Sequence, residues 1–186
     1  IPLLDNIDAS AKLYNAVNCV KNENGKLYGC STDAFGFSKA LEAEGINLCG
    51  KVLILGCGGA AKTIAREAIS FGCDITIAVL EKNLDNAKVF CNELCDAGGT
   101  AGAEIISNVN GEYDLLVNAT PCGMYPNVDT MADINIECLK NCKTVFDIVY
   151  NPAETLLIKT AKEYGIKTIG GMAMLVWQAV KGHEFW

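Results

Sequence analysis

Lys51-Val-Leu-Ile-Leu-Gly-Cys-Gly-Gly-Ala-Ala61 decides the fold. A branched apolar run halts at Gly56-Cys57-Gly58-Gly59, and a helical pattern begins at once with Ala60. Such a junction suits a dinucleotide. Gly56 permits a tight turn, Gly58 lets the backbone approach a pyrophosphate, and Ala61 is small enough for helix and strand to pack closely. The helix start then offers unpaired N–H groups and the positive end of a dipole to an anion. A plain tight turn would also explain the glycines, so the surrounding pattern has to arbitrate.

Downstream of that junction the pattern alternates. Apolar runs at 52–55, 75–80, 115–117 and 144–149 read as buried strands, with a short strand at 167–169. Helical periodicity covers 62–71, 84–94, 136–142 and 153–164. This predicts an α/β chain with a Rossmann-like, doubly wound parallel sheet and the Gly56 turn at its carboxyl edge, where ligands bind. Upstream, Asn24-Gly25 between the runs 18–22 and 26–30 is a hairpin signal, and a helix is expected over 32–44. The stretch 171–186 is apolar along its length and is expected to pack back across the first part.

Composition narrows the partners. The 186 residues carry a net charge of −7 with lysine scattered, which argues against nucleic acid or an anionic membrane surface. No apolar run is long enough to span a bilayer. Ten cysteines in a chain that is half apolar read as small, reduced core residues, and hence as a cytoplasmic location. Cys91-x-x-x-Cys95 and Cys138-x-x-x-Cys142 could each put two thiols on one helical face, but zinc pairs are usually tighter, so no metal is expected. The chain opens without Met, and 8–14 reads as the end of a helix supported from upstream; we expect a fragment.

Several polar residues need an explanation. Asp33, in Ser31-Thr-Asp-Ala-Phe-Gly-Phe37, reads either as a helix N-cap, shared with Ser31 or Thr32, or as a carboxylate beside a catalytic base. Asn118 and Thr120 cluster at a strand's carboxyl end, which the turn formers Pro121 and Gly123 do not account for. Gln178 interrupts an apolar helix, either as a solvated position or as a site residue.

Taken in order, Asn15-Ala-Val-Asn-Cys19, 31–37, Gly56-Cys-Gly-Gly-Ala-Ala61, Asn118-Ala-Thr-Pro-Cys-Gly-Met124, Asp147-Ile-Val-Tyr-Asn-Pro152 and Gly171-Met-Ala-Met-Leu-Val-Trp-Gln178 resemble the shikimate dehydrogenase family over essentially the whole chain. The resemblance implies reduction of 3-dehydroshikimate to shikimate with a nicotinamide cofactor, in aromatic amino-acid biosynthesis. It divides the chain into a substrate-domain remnant (1–48), a Rossmann dinucleotide-binding domain (49–170) and a returning helix (171–186), and it allows a homodimer. It makes Asp33 the carboxylate partner of a catalytic lysine and places Asn18, Asp33, Tyr150 and Gln178 at the substrate. Gly56, Cys57, Gly58, Gly59 and Ala60 would hold the pyrophosphate. Glu81, Lys82 and Asn83 would meet the adenosine ribose, and Asn118, Thr120, Ile148 and Gly171 would border the nicotinamide half. Proton donation to the forming alkoxide would come from a lysine held by a carboxylate.

The chain also departs from the family. No stretch matches the family's Val-Thr-x-Pro-x-Lys motif or its carboxylate-binding serine pair; Lys12 sits in an ordinary helical context, so the chain alone is expected to have little activity. At the end of the second strand the family has Asn-Arg-Thr or Asn-Arg-Ser. Glu81-Lys82-Asn83 aligns there, or the register slips and puts Val79 at the Asn position. Arg66 is the only arginine and lies in the first helix after the glycines. The resemblance favours NADP, with Lys82 at the Arg position, whereas an acid about 20 residues past the glycines suits NAD. Cys19, Ser31 and Ala173 replace the family's Thr, Asn and Gly, and His183 replaces an apolar residue; His183 is expected at the surface near Glu184. An NAD-dependent quinate/shikimate dehydrogenase is the alternative within the family. A non-catalytic dinucleotide-binding module is the alternative outside it, although such a module would not need Asn18, Asp33 and Gln178. The 118–124 and 171–178 motifs point away from glutamyl-tRNA reductase and methylenetetrahydrofolate dehydrogenase.

Overall fold

Side-chain alternation along Lys51–Leu55 builds two cores at once. The computed structural model, which describes residues 1–186, buries Val52 and Ile54 in a cluster on one face of a sheet and Leu53 and Leu55 in a second cluster on the other. A strand buried on both faces is the mark of a parallel sheet sandwiched by helices.

The chain runs β1 (Asn6–Ile7), α1 (Ala9–Tyr14), β2 (Cys19–Glu23), β3 (Lys26–Cys30), α2 (Asp33–Ala43), β4 (Lys51–Leu55), α3 (Gly59–Ser70), β5 (Asp74–Val79), α4 (Leu84–Asp96), β6 (Thr100–Ile105), β7 (Tyr113–Asn118), α5 (Ile136–Lys140), β8 (Cys142–Asp147), α6 (Leu156–Glu163), β9 (Lys167–Gly170) and α7 (Gly171–Phe185). The large sheet has the order β6-β5-β4-β7-β8-β9, parallel throughout. This is the doubly wound arrangement, with its switch point between β4 and β7. Helices α3 and α4 cover one face through Ala61, Ile64, Ala65, Ala68, Phe90 and Leu94. Helices α5 and α6 cover the other through Leu139, Leu157 and Ile158.

The first part forms a separate small sheet, β1-β3-β2, whose β2–β3 hairpin turns at Asn24 and Gly25, both with positive φ. It is joined to the large sheet by packing as well as by the chain. Phe37 of α2 packs at a 42° tilt against Phe146 of β8, ring centres 5.3 Å apart, and Met174 of α7 enters the same cluster. Helix α7 crosses α2 at Gly36, where an added Cβ would lie 2.7 Å from the Met174 carbonyl oxygen, so the last helix does return to the first part.

Three sequence expectations change, and one strand not read in the sequence is added. Residues 100–105 form an edge strand, although their small and polar side chains carry no strand signal; pairing with β5 from Asp74↔Thr100 to Val79↔Ile105 imposes the conformation. Residues 8–14 are not the tail of a longer helix. Asp8 caps α1 by accepting from the Ala11 N–H, and Asn15 closes it in the left-handed region, so α1 is a complete short helix. The helix expected to run to Cys142 stops at Lys140, and Cys142 begins β8, so the two thiols of 138 and 142 do not share a helical face. The helix expected from Ala153 starts after Thr155, whose hydroxyl accepts from the Ile158 N–H.

Candidate functional site

The glycine-rich turn leaves β4 at the carboxyl edge of the sheet. Gly56 has φ +100°, and a Cβ there would meet the Ala119 carbonyl oxygen at 3.0 Å, so both conformation and space favour glycine. Gly58 and Gly59 behave differently. Each is exposed, and an added Cβ would meet nothing within 4 Å, which leaves open space above the turn. Gly58 is the N-cap of α3 and supplies no side-chain acceptor, so the first N–H groups of this 12-residue helix face that space. Cys57 and Ala60 are half-buried beside them. This is the cradle that a pyrophosphate requires.

Next to it, β5 ends at Val79, which is buried and paired with Ile105. The polar residues free to meet a ribose are therefore Glu81, Lys82 and Asn83, all exposed in one 3₁₀ turn. Arg66 is directed elsewhere, over the Phe90 ring at 4.9 Å and toward Glu93.

Across the switch point, Asn118 is 1% exposed. Its Nδ2 donates to Asp147 Oδ1 at 2.9 Å, while its Oδ1 accepts from the Thr120 N–H and, at 2.6 Å, from the Thr120 hydroxyl. The Asn118 side chain is thus enclosed by the protein, and it holds the turn that carries half-buried Ala119 and Thr120. Gly171 is buried in the same manner, because a Cβ there would lie 2.2 Å from the Ile148 carbonyl oxygen. Its absence lets the start of α7 press against the chain after β8, where Ile148 is half-buried and Tyr150 exposed.

The second group of polar residues lies on the small lobe. Asn18 Nδ2 donates to Asp33 Oδ1 at 2.7 Å and to the Thr32 hydroxyl at 3.0 Å, and its Oδ1 accepts from the Thr32 N–H. Thr32, not Asp33, holds the N-cap position of α2, and its own side chain makes no capping hydrogen bond. The capping explanation for Asp33 therefore fails, and its carboxylate is turned toward Asn18. Burial pushes the Asp33 pKa above the ordinary carboxylate value, against the opposing pull of the Asn18 hydrogen bond.

Gln178 is half-buried and packs its Cγ where a Gly36 Cβ would stand. Asn18, Thr32 and Gln178 together line a cavity of about 260 Å³, with Leu175, His183 and Trp186 on its wall. His183, expected only at the surface, is exposed but also borders this cavity, with its ring 5.7 Å from that of Trp186. Sequence reasoning named the Asn118 and Asp33 clusters but passed over Asp147, which stood in a quoted motif; an acid inside an apolar strand was the available signal. No helix is long and apolar enough to cross a membrane.

No family model matches the chain. Among curated proteins, the shikimate dehydrogenase (NADP(+)) of Methanococcus maripaludis strain C6 is 36% identical over 189 residues, covering 98% of this chain and 66% of that protein. The chain therefore spans about two thirds of the length of such relatives. Among solved structures, a shikimate dehydrogenase in complex with NADP+ superposes with a TM-score of 0.87 at 35% identity, covering 100% of this chain and 66% of the other. A shikimate 5-dehydrogenase from Listeria monocytogenes in complex with shikimate and NAD gives 0.86 at 31% identity, covering 100% of this chain and 68% of the other.

Proposed function

The chain belongs to the shikimate dehydrogenase family, and from that premise we propose that it forms the dinucleotide-binding half and part of the substrate half of an NADP(H)-dependent reductase of 3-dehydroshikimate. The observation that carries this reading is the pairing of two features. An open glycine cradle lies at the switch point of the sheet, and Asn18, Thr32 and Gln178 line one cavity beside Asp33.

In this reading residues 1–48 and 171–186 belong to the substrate side and 49–170 to the cofactor side. The Gly58 and Gly59 backbone and the start of α3 hold the pyrophosphate. Lys82 attracts the ribose phosphate as a point charge, without the fork that an arginine would give. The cofactor supplies the hydride. Asn18 and Gln178 orient ring hydroxyls of the substrate. Asp33 holds a proton-donating lysine, contributed by polypeptide outside these 186 residues, where it can protonate the forming alkoxide. Alone, the chain binds the cofactor and turns over little substrate.

A second reading, NAD in place of NADP, is favoured by one observation: the turn after β5 presents the carboxylate of Glu81 and no arginine. Titrating the chain with NADPH and NADH, followed by nicotinamide fluorescence, tests both. Tighter binding of NADPH supports the first reading, tighter binding of NADH the second, and no binding of either sinks both.

A further inference from the structure

The function proposed above leaves one buried carboxylate without a role. Asp147, at the end of β8, is 0% exposed. It accepts from Asn118 Nδ2 at 2.9 Å, the Val149 N–H at 3.0 Å and the Thr155 hydroxyl at 2.6 Å. All three donors are neutral. Burying a carboxylate without a cation is unfavourable unless fixed donors surround it. Burial accordingly pushes the Asp147 pKa up, while the three hydrogen bonds oppose the shift.

The two oxygens act on different segments. Oδ1 joins the ends of β7 and β8, and through Asn118 it fixes Thr120. Oδ2 takes the Thr155 hydroxyl, whose oxygen in turn accepts from the Ile158 N–H and starts α6. One carboxylate thereby ties the turn 118–123 to the segment 148–155. Backbone bonds follow the same seam, from the Ile148 N–H to the Asn118 carbonyl and from the Tyr125 N–H to the Asn151 carbonyl. The tied segments carry Thr120, Ile148 and Tyr150. Gly56 abuts the clasped turn at Ala119, whereas Gly58, Gly59 and the 81–83 turn lie outside the clasp.

We propose that Asp147 is a positioning residue for the nicotinamide half of the cofactor site: its carboxylate fixes the two backbone walls that border that half and leaves the adenosine half untouched. The inference rests on the cofactor reading above.

The test titrates the chain with NADPH and, separately, with 2′,5′-ADP, the adenosine half alone, using calorimetry for both and nicotinamide fluorescence for NADPH. Asp147→Asn and Thr155→Val are expected to weaken NADPH about tenfold, the scale of one lost charge-assisted hydrogen bond, and to leave 2′,5′-ADP unchanged. Thr155→Ser keeps the hydroxyl and is expected to bind both ligands like the parent. Titrations are made well below each melting midpoint, so a merely structural role predicts equal effects on both ligands. Equal losses, or no loss for NADPH, overturn the proposal while the cofactor reading stands. A parent chain that binds neither ligand overturns both. If Asp147→Asn does not fold, Thr155→Val, which keeps the bonds to Asn118 and Val149, decides by the same criteria.

Discussion

Asn18 and Asp33 are 15 residues apart in the chain and 2.7 Å apart in space, joined by a hydrogen bond from the amide to Oδ1. The amide fixes the carboxylate's orientation, and no side chain of this chain donates to its other oxygen. A carboxylate held by one neutral donor and partly stripped of water is poised for a cation, which is what pairing with an incoming ammonium requires.

That arrangement has a cost in stability with a definite pH dependence. A carboxyl whose folded pKa is raised adds stability at pH values below its unfolded pKa, and that contribution is lost as pH rises through the folded pKa. Asp33 is raised by burial. Asp33→Asn keeps an acceptor for Asn18 and removes the charge. Its melting temperature is expected to exceed the parent's at about pH 7, with the gap closing as pH falls toward about 4. Thermal melts across that window check it, and a gap independent of pH would contradict the assignment.

Gly58 and Gly56 should separate binding from folding. Gly58 has φ −79° and open space around it, so Gly58→Ala should lose no more than about 1 kcal/mol, the N-cap preference for glycine over alanine. Its methyl group would still occupy the cradle and weaken NADPH about tenfold or more. Gly56→Ala should lose about 1–3 kcal/mol of stability, from its positive φ and the contact with Ala119. Denaturant melts and NADPH titrations distinguish the two.

Gly171→Ala places a methyl group 2.2 Å from a backbone oxygen that cannot yield like a flexible side chain. A loss of about 2–4 kcal/mol is expected. Amide exchange should rise first at 148–150 and at the start of α7. Parent-like exchange there would show that the contact relaxes freely.

Tyr14 of α1 donates to Glu67 of α3 at 2.5 Å, and Ser38 of α2 donates to the other oxygen of the same carboxylate at 2.5 Å. One side chain therefore links the small lobe to the large sheet's helices. Burial first, and then the Glu67 hydrogen bond, raise the Tyr14 pKa. Its contribution is present below the ordinary tyrosine value and lost as pH rises through the raised one. An ultraviolet titration should show two phenols, Tyr14 and Tyr113, both raised by burial, ionising later than the rest. Tyr14→Phe should remove one of these late steps and lower stability by about 1 kcal/mol.

The strand, glycine turn and helix at 51–61 were legible because local rules specify them: an unbroken apolar run, a turn that only glycine can make, and small residues at helical spacing. The Asn24-Gly25 hairpin and the alternation of strands with helices followed from equally local rules, and they carried the doubly wound sheet with them. Residues 100–105 were not legible, because an edge strand of small and polar residues takes its conformation from the strand it pairs with. Nor was the orientation of Asn118, which sequence alone would turn outward toward a ligand and the fold turns inward to Asp147. Periodicity and turn chemistry act over a few residues, so the sequence by itself determined most of the elements and their order, but not β6. Only the tertiary structure decided that Asn18 meets Asp33, that Gln178 shares a cavity with Asn18 and Thr32, and that one buried carboxylate clasps two loops. Those contacts join positions far apart in the chain, and they exist only once packed helices have brought the backbone segments together.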